Sequence, residues 1–237
     1  MIVYGRNPVR EALRGRRAER VGPVWATRSA LREDWLPSGR AELTEDSELE
    51  RLSGSVDHQG ICAEAGDYPY AEPDRALEPE DALVVVLDQV QDPRNLGAAC
   101  RVAEAAGAAA VVVPERRATA VTPAVCKASA GAVEHLAVVR VPNVAEFLGD
   151  AKRRGAWVYG AAAGAGTSYA QPDYRGRVVL VLGSEGAGIR PRVAKACDQL
   201  VELPMRGRVE SLNVSAAAAA LLYGILQRRE SAVDRAP

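Results

Sequence analysis

Between Leu83 and Leu203, short β-branched apolar runs alternate with stretches of helical period, and no other feature constrains the fold of this 237-residue chain so tightly. The runs are Leu83-Val84-Val85-Val86-Leu87, Ala110-Val111-Val112-Val113, Val138 to Val141, Trp157 to Ala161, Val178 to Leu182 and Leu200 to Leu203. A strand with one wet face alternates apolar and polar residues. Leu83 to Leu87 and Val178 to Leu182 do not alternate, so both of their faces must be covered. Between the runs lie helical segments: Asn95 to Ala106, closed by Gly107; one opened by Thr122-Pro123; Val144 to Arg154; and Asn213 to Arg228. This alternation predicts an α/β fold on a parallel sheet with helices on both faces.

The residues before this region read differently. Asn7-Pro8 followed by Val9, Ala12 and Leu13 reads as a short capped helix, and Val21 to Ala26 as a strand. Asp46 can cap a helix carrying Leu49 and Leu52, and Gly60 to Glu64 reads as a closing strand. Residues 1–65 are therefore expected to form a small α/β unit. Pro69, Pro73 and Pro79, among tyrosines and carboxylates, mark residues 66–81 as a linker. Residues 82–230 follow as the second domain and 231–237 as a tail, and a chain of this length has room for two cores.

Composition removes several classes of function. No apolar run is long enough to cross a bilayer, and Met1-Ile2-Val3-Tyr4-Gly5-Arg6 lacks the basic start and apolar stretch of a signal peptide, so a cytoplasmic protein is expected. The four cysteines, Cys62, Cys100, Cys126 and Cys197, include no C-x-x-C pair and read as reduced core thiols. With only His58 and His135 beside them, no metal site is expected. His58 reads equally as a substrate contact or a hydrogen-bonded structural residue, and His135 as structural. Net charge is −1, yet Arg6, Arg10, Arg14, Arg16, Arg17, Arg20 and Arg28 face only Glu11 and Glu19 in the opening stretch. That excess suits either phosphate contacts or a solvated helix face.

Three polar or glycine-rich segments follow predicted strands, where α/β folds place ligand loops. In Asp92-Pro93-Arg94-Asn95-Leu96-Gly97-Ala98-Ala99-Cys100-Arg101, Asn95 is a natural helix cap, Gly97 permits close approach of another chain or ligand, and Arg101 lies where a guanidinium can grip phosphate. In Gly183-Ser184-Glu185-Gly186-Ala187-Gly188-Ile189, backbone can pass close to a ligand with Glu185 beside it as acceptor or base. Its G-x-x-G-x-G spacing after a late strand departs from the G-x-G-x-x-G that a nicotinamide-dependent oxidoreductase needs after its first strand. In Pro204 to Ser215, Ser211 or Asn213 can cap a helix whose Ala216 to Ala220 allow close backbone packing. Each segment alone is also accounted for by a turn or a cap.

Together, and in this order, they resemble the three motifs of the SpoU/TrmH family of RNA ribose 2′-O-methyltransferases in the SPOUT superfamily. Asn95, Gly97 and Arg101 match the first motif, N-x-G-x-x-x-R; Gly183, Glu185, Gly186 and Gly188 match the second; Pro204, Ser211, Asn213 and Ser215 match the third. Tyr4-Gly5-Arg6-Asn7-Pro8-Val9 and His58-Gln59-Gly60-Ile61 are similar to the ends of the ribosomal-protein-like substrate-binding domain of one branch, which methylates a guanosine of 23S rRNA.

The resemblance implies a SPOUT-type parallel sheet with a deep carboxy-terminal trefoil knot, S-adenosylmethionine as cofactor, RNA as substrate and no metal. It places backbone at Gly183, Gly188, Leu203 and Leu212 against the cofactor. Asn95, Arg101, Glu185, Ser211 and Asn213 become the polar side chains at the reaction. It also implies a homodimer, with Arg94 and Glu210 as cross-subunit participants. A ribose hydroxyl must lose its proton to become a good nucleophile. Guanidinium stays protonated, which leaves Arg101 to position phosphate and ribose, with Glu185 or a relayed water as proton acceptor. The other readings are methylation of an adenosine in 23S rRNA, as in thiostrepton-resistance enzymes, methylation of tRNA, and a non-catalytic RNA-binding ribosome-assembly factor.

Overall fold

The computed structural model describes residues 1–233, so the expected tail from 234 onward lies outside the described residues while 231–233 continue the last helix. The first unit contains β1 (Ile2–Tyr4), α1 (Arg6–Ala12), β2 (Val21–Ala26), β3 (Glu42–Leu43), α2 (Asp46–Ser53) and β4 (Ile61–Ala65). Its sheet runs β1-β4-β2-β3, with β4 antiparallel to β1 and β2, and β3 parallel to β2.

The second unit contains β5 (Leu83–Asp88), α3 (Pro93–Ala105), β6 (Ala110–Pro114), α4 (Pro123–Ala128), β7 (Ala137–Val141), α5 (Val144–Arg153), β8 (Trp157–Ala161), β9 (Val178–Gly183), α6 (Pro191–Ala196), β10 (Gln199–Val201) and α7 (Val214–Val233). The six strands are all parallel in the order β10-β8-β9-β5-β6-β7. Successive side chains of a strand point to opposite faces, and β5 obeys this strictly. Leu83, Val85 and Leu87 join Leu96 and Cys100 of α3 and Leu221, Leu222 and Ile225 of α7 in one cluster. Val84 and Val86 join Val144, Phe147 and Leu148 of α5 and Val193 of α6 in the other. The apolar runs thus read correctly as strands covered on both sides.

From β5 the chain builds outward through β6 and β7, then crosses to β8 and inserts β9 between β8 and β5. The carboxyl ends of β5 and β9 therefore flank a point where the winding direction changes, the usual position for a ligand crevice.

Residues 66–81, whose prolines argue for irregular structure, are pinned rather than slack. The Ala71 amide donates to the Val138 carbonyl at 2.9 Å, the Tyr68 hydroxyl donates to the Val133 carbonyl at 2.7 Å, and a 3-10 turn at Pro73–Leu77 buries Ala76 and Leu77. The first unit is likewise fixed to the second. Arg17 is buried, not a phosphate ligand: its Nε donates to Glu134 Oε2 at 2.8 Å and its Nη2 to Glu134 Oε1 at 2.6 Å, while Nη1 donates to the Gly66 carbonyl at 3.0 Å. His135 Nε2 meets Glu11 Oε2 at 2.8 Å across the same junction. Within the run of arginines, Arg6 is paired with Glu33 and Arg10 with Glu11.

Candidate active site

The first loop behaves differently from its sequence reading. Helix α3 begins at Pro93, two residues before Asn95, because Asp92 takes the cap: its Oδ1 accepts the Arg94 amide at 2.8 Å and proline fills the first helical position. Asn95, not needed as a cap, sits in the first turn with its side chain free to reach across the crevice. Its Nδ2 donates to Glu185 Oε1 at 3.0 Å, and its Oδ1 accepts Asn213 Nδ2 at 2.9 Å. Asn213 Nδ2 also donates to Glu185 Oε1. One residue from each of the three motif segments thus joins a ring of two amides and a carboxylate.

Asn213 has a second task. Its Oδ1 accepts the Ser215 amide at 2.9 Å and the Ser215 hydroxyl at 2.6 Å, so it caps α7, one of the two residues the sequence offered for that role. The cap fixes which way its Nδ2 points. Arg101 and Ser211 stand exposed outside this ring. Arg101 lies six residues beyond Asn95, about 9 Å along the axis of α3.

Beside the ring opens a cavity of about 480 Å³. Gly183, Glu185, Gly188, Leu203, Ser211 and Leu212 all line it, so every residue expected at the cofactor faces this space. Sequence reading missed its apolar wall: Ala161 at the end of β8, Ile189, Met205, and Ala217 and Leu221 of α7. Only the helical spacing of Ala217 and Leu221 hinted that one face of α7 would border an opening.

Two of the four motif glycines, Gly183 and Gly97, serve the protein's own close packing. A Cβ on Gly183 would stand 2.0 Å from the Gly188 carbonyl carbon, because the loop curls back with the Gly188 amide donating to the Ser184 carbonyl at 2.9 Å. A Cβ on Gly97 would stand 2.5 Å from Ala128 Cβ, so its close approach is to α4.

A residue absent from the sequence reading holds the crevice together. Asp88, at the carboxyl end of β5 opposite Gly183, is fully buried and accepts Arg190 Nη2 at 2.6 Å, Nε at 2.9 Å and the Arg190 amide at 3.0 Å. Its signal was a lone carboxylate closing an otherwise apolar strand. His58 proves structural: it is buried, and its Nδ1 accepts the Gly60 amide at 3.1 Å.

Comparison with known proteins bears on both units. The family model of the SpoU rRNA methylase family matches residues 82–223, and that for RNA 2′-O ribose methyltransferase substrate binding matches residues 2–71. A 23S rRNA (guanosine-2′-O-)-methyltransferase of Xanthomonas campestris is 44% identical over 76% of this chain and 75% of its own. An uncharacterized tRNA/rRNA methyltransferase of Synechocystis is 38% identical over 96% of this chain, which spans 62% of that relative's length. Among solved structures, the SpoU methyltransferase AviRb of Streptomyces viridochromogenes in complex with AdoMet matches with a TM-score of 0.78 at 26% identity, covering 98% of this chain and 91% of its own.

Proposed function

The chain belongs to the SpoU rRNA methylase family of S-adenosylmethionine-dependent RNA methyltransferases, and from that premise we propose that it methylates the ribose 2′-hydroxyl of a guanosine in 23S rRNA at the Asn95, Glu185 and Asn213 ring. The observation that carries the site assignment is the engagement of a single carboxylate oxygen. Asn95 and Asn213 both donate to Glu185 Oε1, which orients the carboxylate and leaves Oε2 as the atom to take the hydroxyl proton.

The cavity suits an amphipathic nucleoside: Leu203, Leu212, Ile189 and Leu221 offer apolar cover on one side, and the glycine loop offers backbone donors and acceptors on the other. Gly183, Gly188, Leu203 and Leu212 are the residues that would hold the cofactor. When bound, it supplies an electrophilic methyl group on a sulfonium. Arg101, exposed beyond the ring, grips the phosphate next to the target ribose, and Ser211 hydrogen-bonds the ribose; neither takes a proton. In-line approach of the hydroxyl is what these contacts secure.

The same reading threads α7 through a trefoil knot formed where the Gly183 and Leu203 loops meet it. It also makes the enzyme a homodimer. Met205 and Leu212 at the cavity and Val209, next to its lining residue Glu210, are large apolar residues left exposed, and a second copy would cover them while bringing Arg94 and Glu210 to its partner's site. Guanosine in 23S rRNA is favoured by the Xanthomonas relative, and RNA as substrate by the substrate-binding match across residues 2–71. The test is a map of ribose methylations in rRNA and tRNA from a deletion strain with and without the gene restored. Loss and recovery of one 23S guanosine supports the proposal; loss confined to tRNA or to an adenosine overturns that substrate.

A further inference from the structure

On the other side of α6 lies a second cavity, of about 360 Å³, lined by Arg116, Arg117, Arg190 and Arg192 against Pro114 and Pro142. No carboxylate lines it. Arg190 is committed to Asp88, but Arg116, Arg117 and Arg192 are exposed and enter none of the ion pairs among the described residues. The nearby Glu146 is turned to the Asn143 side-chain amide at 2.6 Å. Arg117 adopts φ 59°, a left-handed backbone that side-chain-bearing residues rarely hold without a reason.

The position of this cavity matters as much as its charge. The start of α6 is a shared wall: Ile189 and Ala194 face the cofactor cavity, whereas Arg190, Arg192 and Val193 face the arginine cavity. Pro114 ends β6, which lies beside β5, and β5 lies beside β9 with its Gly183. Two strand spacings, about 10 Å, separate the two mouths along the same edge of the sheet. That separation suits one or two nucleotides of an extended strand.

We infer that the arginine cavity seats a backbone phosphate of the RNA flanking the nucleotide to be methylated, an inference that rests on the RNA methyltransferase reading. Planar guanidinium forks match phosphate oxygens, and exposed arginines with no carboxylate beside them in the lining are open to such a ligand. Such a contact fixes register on the strand and carries no base preference.

The test uses the full chain carrying Arg116→Gln, Arg117→Gln and Arg192→Gln together, with Arg190 kept because it holds Asp88. Affinity for a fluorescein-labelled single-stranded oligouridylate is measured across salt, and affinity for S-adenosylmethionine by calorimetry. The expected result is about tenfold weaker RNA binding at low salt and a salt slope smaller by about 2, from three lost contacts at roughly 0.7 each, with cofactor affinity unchanged. Restoring charge with Arg→Lys at the same positions should recover the slope. An unchanged slope in a variant that still binds cofactor overturns the phosphate seat, as does a variant that dissociates into smaller species, which would make the cavity a contact between copies. Failure of the unaltered chain to bind S-adenosylmethionine would instead sink the methyltransferase reading, while the slope would still decide the cavity.

Discussion

Asp88 and Arg190 form a clamp between the central strand and the second motif loop: the carboxylate is fully buried, and Arg190 reaches it with Nη2 at 2.6 Å and with its own amide at 3.0 Å. Asp88 lies opposite Gly183 in the β5–β9 register, so the pair ties both ends of the loop from Gly183 to Arg190 to one strand end. Arg190→Ala strands a buried carboxylate and should destabilise the fold by about 3–5 kcal/mol. Asp88→Asn keeps hydrogen bonding without charge and should cost less, about 1–2 kcal/mol. Urea melts measure both, and calorimetry should show weaker S-adenosylmethionine binding in each. An Arg190→Ala protein with wild-type stability and affinity would deny the clamp any role.

Gly183→Ala places a methyl 2.0 Å from the Gly188 carbonyl carbon, a collision with backbone that no rotamer relieves. Overpacking of this kind costs about 1–3 kcal/mol or more, and here the displaced backbone is the wall of the cavity. Loss of cofactor binding is the expected result. Gly207→Ala, in the third loop with open space around it and no left-handed φ, is the control and should stay within about 0.5 kcal/mol of wild type. Equal behaviour of the two variants would rule out the close approach.

The centre of the sheet was legible because β5, β6 and β9 are apolar, largely β-branched runs without polar alternation. Helix α6 was not, since its six residues are too few to show a period. Strand order was hidden as well: β9 slips between β8 and β5 through contacts that no local pattern encodes. At the site, resemblance to a known family supplied the residues, but not which atoms meet. Asn95 read as a cap because it suits one; the competing Asp92-Pro93 pair won because proline belongs at the first helical position. Arg17 read as part of a basic face because its partner, Glu134, lies 117 residues away.

Glu185 and Arg101 should separate by phenotype. Glu185→Gln keeps the shape of the ring but removes the proposed proton acceptor, and methyl transfer should fall by about 10²–10⁴. Arg101→Ala should abolish methylation while cofactor affinity stays nearly intact, because Arg101 is on α3 away from the cavity lining. Single-turnover transfer from labelled S-adenosylmethionine, read beside calorimetry, distinguishes the two. Full turnover by Arg101→Ala would remove that residue from the mechanism.

Arg17 and Glu134 are both wholly buried side chains joined at 2.6 Å between the two units. Glu134→Ala leaves a buried guanidinium without its counter-charge and should cost about 3–5 kcal/mol, whereas Arg17→Met combined with Glu134→Leu should lose far less than the two single changes summed. Because apolar residues of both units belong to one buried cluster, the loss should appear as a lower midpoint of a single transition. Two separated transitions in the unaltered chain would contradict that coupling.

The cysteines make an alkaline prediction. Burial pushes Cys62 and Cys197 up to about 11, and Cys100 and Cys126 up to about 12, from the usual 9.0. Burial also pushes Tyr68 and Tyr174 above their ordinary value of 10.0. With folded values raised, the unfolded chain releases these protons first. Their contribution to stability is therefore fully present below about pH 9 and is lost as pH climbs towards 12. Urea midpoints should be insensitive to these groups up to about pH 8.5 and fall beyond it. At about pH 8 the buried thiols of Cys62, Cys100 and Cys126 should resist iodoacetamide in the native state, the half-buried Cys197 should react faster than these, and all four should react once urea unfolds the chain. Rapid labelling of Cys100 or Cys126 without denaturant would mean that the packing of α3 against α4 opens far more readily than its buried contacts allow.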